Sequence, residues 1–139
     1  MARPRRRDRH ERGLRGPLAP ATSPATVPRS ERFGDLVVAA VDRLEPRWGV
    51  RLAAVDVEIH DVPDVTDPDG SEVPLAGHRP ASGSRAATIV VYRRPVELRA
   101  PEHLDRVDLV RDLVAEQLAE LLGMAPSDLD PSYDERGGD

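Results

Sequence analysis

Leu113-Val-Ala-Glu116-Gln117-Leu-Ala-Glu120-Leu-Leu-Gly123 is the stretch whose reading decides the fold. Its apolar residues recur at helical spacing, and Gly123 is the residue type that closes a helix in a left-handed conformation. Extended upstream, the pattern predicts a helix from about Pro101 to Leu122. On an ideal wheel with Leu109 at zero, Leu113, Val110, Leu121, Val114, Val107 and Leu118 spread from about 40° to about 180°. An arc that wide belongs to a largely buried helix. Glu116 and Glu120 fall at about −20° and about 20°, on one edge of the arc, and Gln117 at about 80°, further into it. Two carboxylates four residues apart, with an amide beside the first, therefore mark either an edge where a cleft can open or, the commoner case, a solvated edge whose carboxylates pair with Arg93, Arg94 or Arg111.

The rest of the chain supplies the packing partners of this helix. Phe33, Leu36, Val37, Ala40, Val41 and Leu44 form one apolar stripe, which predicts a first helix over Ser30 to Trp48, ended by Pro46 and Gly49. Trp48, the single tryptophan, is expected to cover the end of the core. In Leu52–Val62, Val55, Val57 and Ile59 alternate with Asp56, Glu58 and His60, the pattern of a strand with one wet face and a surface histidine. A second strand is strongest at Ala87–Tyr92, and Arg93, Arg94 and Pro95 close it off. Between the strands, 61–85 reads as a long loop. Its Asp67-Pro-Asp69-Gly70 invites a calcium reading, but with Gly70 at the sixth place Val65 would be first and Ala76 last, and neither side chain offers oxygen. Turn chemistry is the better account. After Gly123, Ser127-Asp128-Leu129-Asp130 suggests one more short turn.

These elements predict an α+β fold, two main helices packed on a short β-sheet. The expected organisation is an unpacked Arg/Pro-rich arm over 1–29, one folded domain over 30–130 and an unpacked tail over 131–139. With 139 residues there is room for one modest domain. The absence of cysteine excludes disulfides and thiolate metal sites. Without a long apolar run or a signal-peptide core, the expectation is a soluble, cytoplasmic protein with no membrane partner. All basic residues are arginine and lysine is absent, a bias expected of a GC-rich bacterium. Residues 1–16 carry seven arginines against Asp8 and Glu11, so a net charge of −5 for the whole leaves −10 on the remainder. Arg3, Arg5, Arg6, Arg7 and Arg9 offer a nucleic-acid contact. The competing expectation is a solvated arm or one folded back on its own acidic domain, since no aromatic is interleaved for base stacking.

The order helix, strand, acidic loop, Ile89-Val-Val-Tyr-Arg-Arg-Pro-Val-Glu97, then a helix ending Leu-Leu-Gly-Met with an acidic turn resembles the minimal zincin-like metallopeptidase family. Gly13-Leu-Arg-Gly-Pro-Leu18, Glu72-Val-Pro-Leu75 and Tyr92-Arg-Arg-Pro-Val-Glu97 are similar to its actinobacterial branch, and the resemblance spans about Arg12 to Tyr133. It implies a small zincin-like domain whose active-site helix reads H-E-x-x-H-x-x-G. Counted back from Gly123, the two histidines fall on Glu116 and Glu120 and the catalytic glutamate on Gln117, a degenerate motif. Asp128 falls where the family carries an acidic residue near the site.

These replacements change the chemistry. Zinc in hydrolases takes imidazole nitrogen and keeps an open place for water. Carboxylate oxygens favour harder ions such as Mg²⁺ or Mn²⁺ over Zn²⁺. Gln117 cannot accept a proton and so cannot be the general base. The main expectation is a pseudoenzyme that holds a peptide or protein partner in a cleft between the Glu116 helix and an edge strand at Ile89–Tyr92, by strand addition. One alternative is a divergent metal-dependent hydrolase with Glu116, Glu120 and Asp128 as oxygen ligands. A weaker one is a nucleic-acid accessory protein acting through the arginine arm.

Overall fold

The computed structural model describes Arg6–Asp8, residues 29–64 and residues 73–133. Most of the arm, the Asp67–Gly70 turn and residues 134–139 lie outside the described residues. In chain order the elements are β1 (Arg6–Asp8), α1 (Arg29–Asp42), α2 (Glu45–Leu52), β2 (Val55–His60), β3 (Ala76–Arg79), β4 (Ala87–Tyr92), α3 (Arg93–Arg99), α4 (His103–Leu122) and α5 (Pro126–Leu129). The α+β fold is present, with α1 and α4 packed on a short mixed sheet.

The first helical segment is two helices, not one. A proline inside a helix removes an N–H and clashes with the carbonyl four residues back. For Pro46 that carbonyl belongs to Asp42, and Asp42 is where α1 stops. Pro46 sits instead in the first turn of α2, where its missing N–H costs nothing. Trp48 packs against the core from α2 and donates its indole N–H to the Leu129 carbonyl at 2.7 Å.

The sheet order is β1-β2-β4-β3. β2 and β4 run parallel, with Val57 beside Ile89, and β3 lies antiparallel on the far side of β4. β1 runs parallel to β2 with Arg7 beside Glu58, so three residues of the arm join the sheet. β4 is therefore interior, and β3, inside the segment expected to be loop, is the strand at the edge. Its turn explains its formation: Ser82 and Arg85 exchange backbone hydrogen bonds, and Gly83 between them has φ 56. Glycine at the first central position with positive φ is the type II′ turn, which matches the twist of the paired strands.

One face of the sheet is apolar. Val55, Val57, Ile59, Ile89 and Val91 form a single cluster with Phe33, Val37 and Val41 of α1 and Val110, Leu113, Val114, Ala115 and Leu118 of α4. α4 is the hub, touching α1, α3, α5, β3 and β4. It ends at Gly123 in left-handed conformation, whose N–H returns to the last turn. The folded part runs past the expected boundary at 130. Asp130 is 2 % exposed, pairs with Arg43 at 2.8 Å and accepts the Ser132 N–H, which carries the chain on to Tyr133. No helix among the described residues is long and apolar enough to cross a membrane.

Leu118 is 1 % exposed and Leu104 is 77 % exposed on the same helix. Leu118→Ala should lower stability by about 2–5 kcal/mol, whereas Leu104→Ala should stay within about 0.5 kcal/mol. Denaturant unfolding followed by Trp48 fluorescence checks both.

Candidate functional site

The buried stripe of α4, Val110, Leu113, Val114, Leu118 and Ala119, fixes the rotation of the helix. With that face on the core, Glu116 and Gln117 lie half-buried at its margin and Glu120 is exposed. Each half-buried group has a partner from another element. Tyr133, just beyond α5, donates its hydroxyl to Glu116 Oε2 at 2.6 Å. The Gln117 carbonyl oxygen lies 2.7 Å from Nδ1 of His78 on β3, so with this amide orientation the imidazole donates. β3 pairs His78 with Ile89, which places it on the sheet face that carries α4.

β3 and α4 are thus joined side by side through the exposed His78–Gln117 bridge, and Glu116 and Glu120 stand one turn apart along the helix. The edge strand expected at Ile89–Tyr92 is interior, because β4 is covered on both edges by β2 and β3, and the edge is β3. Asp128 lies on α5 and is exposed. Among the described residues no group of three or more His, Asp or Glu side chains is placed to hold a metal ion, so Glu116, Glu120 and Asp128 are not gathered into one. Arg93, a candidate counter-ion for the α4 carboxylates from sequence, binds Asp61 at 2.9 Å and Glu97 at 3.2 Å instead.

Two features had no local signal. His78 sits in a run, Ala76-Gly-His-Arg79, without a β-branched residue to announce a strand. The second is the opposite face of the sheet, where β2 is buried at all six positions. His60, expected at the surface, is 3 % exposed, with Nε2 2.9 Å from Glu58 Oε1. Arg79 donates to the other Glu58 oxygen at 2.9 Å. Burying a carboxylate is costly unless it is paired, and Glu58 has a partner on each oxygen. A polar cavity of about 410 Å³ adjoins them, lined among others by Asp56, Thr88, Ser82, Ser84 and Arg85.

A family model described as zincin-like metallopeptidase covers residues 52–135, which include β2–β4, α4 and Tyr133. No curated protein matches the chain. The zinc that such a family implies does not fit the residues present. Glu116, Gln117 and Glu120 offer two carboxylates and an amide but no imidazole, and Glu116 and Gln117 are already hydrogen-bonded to Tyr133 and His78.

The Tyr133–Glu116 bond is testable by a double-mutant cycle. Tyr133→Phe and Glu116→Gln should each destabilise, with a coupling of about 1 kcal/mol in urea unfolding. Strict additivity of the two changes would show that the hydroxyl contributes nothing there.

Proposed function

The chain belongs to the zincin-like metallopeptidase family, and we propose that it uses the fold to bind an extended peptide segment without zinc peptidase chemistry. The observation that carries this reading is the His78–Gln117 bridge at 2.7 Å, which joins the edge strand to the helix at the position of the missing base. An amide cannot take a proton from water, so the step that would activate a nucleophile has no acceptor at residue 117. What remains is an edge strand bonded to a helix that carries two carboxylates.

Each part has a binding role. No strand among the described residues pairs with the outer side of β3, so its backbone groups are available to an added strand. Glu120 is exposed on the helix one turn beyond Glu116, and α4 has no basic residue in its last turn to neutralise them. A peptide with a basic side chain opposite these carboxylates gains a charge-assisted hydrogen bond. The divergent-hydrolase reading requires a third metal ligand, and the exposed Asp128 on α5 is not grouped with the pair.

A capped seven-residue peptide of Thr and Val with one central Arg is a suitable probe. Backbone amide resonances of Ala76–Arg79 should shift on titration, and a Glu116→Gln, Glu120→Gln variant should bind about tenfold more weakly. Backbone N-methylation of the peptide should abolish binding. Shifts confined to other strands overturn the edge-strand reading. The metal-free reading fails if Zn²⁺ or Mn²⁺ at saturating concentration raises the wild-type Tm by several degrees, as linkage requires of a bound ion, and leaves the double variant unchanged.

A further inference from the structure

At the other end of α4, fourteen residues before Gln117 and so about 20 Å along the helix, lies a second surface of opposite charge. The first turns of α1 and α4, together with α3, enclose a groove of about 880 Å³. Arg29, Arg32, Arg94 and Arg106 line it against two carboxylates, Asp35 and Glu97, and Glu97 is already paired with Arg93. Arg29 and Arg94 have no side-chain hydrogen bond or ion pair among the described residues. Arg106 is held rigidly by the Ala100 and Pro101 carbonyls at 3.0 and 2.5 Å. Apolar groups share the lining: Leu36, Pro101 and Leu98, the last 83 % exposed, with Leu104 77 % exposed next to His103.

We propose that this groove docks an acidic amphipathic helix of a protein partner. The charge is an exception on a domain that is otherwise strongly acidic, so it selects an anionic partner from its surroundings. The starts of α1 and α4 both open into it, and the positive ends of two helix dipoles favour carboxylates at the same place. Leu98 and Leu104 leave water only against apolar side chains, which asks for leucine-like residues on one face and Glu or Asp on the flanks. A groove walled by three helices accepts a fourth by ridge-into-groove packing. A nucleic acid satisfies only the charge. Of the two aromatic rings in the lining, Phe33 is 1 % exposed and His103 stands alone, so successive bases find no stacking platform.

The test uses the full chain and a dye-labelled amphipathic peptide with Leu at i, i+3, i+4 and i+7 and Glu on its flanks. Anisotropy should show saturable binding that weakens with salt. Arg29→Glu with Arg94→Glu, and separately Leu98→Ser, should each weaken it about tenfold, and both sets of residues are exposed enough to leave the fold intact. The same peptide with Lys for Glu should not bind. No binding, binding indifferent to either variant, or full displacement by a single-stranded oligonucleotide of equal charge overturns the proposal. Amide shifts at Arg29–Leu36 and Arg94–Arg106, with none at Ala76–Arg79, separate this surface from the β3 edge.

Discussion

Burial of one face of α4 is the constraint on which the other features depend. Val110, Leu113, Val114, Ala115, Leu118 and Ala119 must all leave water, and only the space between α1 and the sheet receives them together. That requirement fixes the helix about its own axis, since a turn of 100° would exchange Leu118 for its polar neighbours. Once the rotation is fixed, the half-buried margin is fixed with it. Gln117 meets β3, and Glu116 meets the segment beyond the helix. Gly123 sets the course of that segment: its left-handed conformation ends α4 within one residue and returns the chain through α5, so that Tyr133 arrives beside Glu116.

Features governed by local periodicity are legible in the residues. The limits of β4 and the end of α4 at Gly123 come from alternation, helical spacing and a glycine stop, each set within a few neighbours. Features governed by tertiary burial are not. Asp56, Glu58 and His60 alternate like a wet face, yet the face is covered, and Glu58 tolerates it through Arg79, twenty-one residues away, which no window on β2 contains. β3 escapes a local reading because a composition of Ala, Gly, His and Arg has little intrinsic preference for a strand and takes the form from its pairing with β4. The Gly83-Ser84 turn before a strong strand is the hairpin signal the sequence does hold. Pro46 has two meanings of which a helix stop is only one, since the same ring that ends α1 is well placed to begin α2.

The fold and the polar margin of α4 are carried by different residues. The fold is specified by the apolar face of α4 and by the strands it covers. Glu116, Gln117 and Glu120 lie outside that face, where a change of side chain leaves the packing untouched. Polar groups at a half-buried edge still have to be satisfied. The Tyr133 hydroxyl and the His78 imidazole meet that need, giving Glu116 and Gln117 a partner each.

Charge along α4 runs against the choice that stability alone would make at its C-terminal end. Cations are favoured in the last turn of a helix and carboxylates in the first, each by a few tenths to about 1 kcal/mol. α4 has no basic residue in its last turn, carries Glu120 there, and repeats a carboxylate at i and i+4, which costs a few tenths more. Tyr133 offsets part of this at Glu116, while Glu120 is left to solvent. At the N-terminal end, the first turns of α1 and α4 meet Arg29, Arg32 and Arg94, cations set against the positive ends of two dipoles. The first turn of α4 itself carries Asp105, the sign its dipole favours, so these three cations are brought to it by α1 and α3. Under the two proposals a partner of opposite sign would answer each end: a basic side chain lying along β3 at one, and a run of carboxylates in the groove at the other.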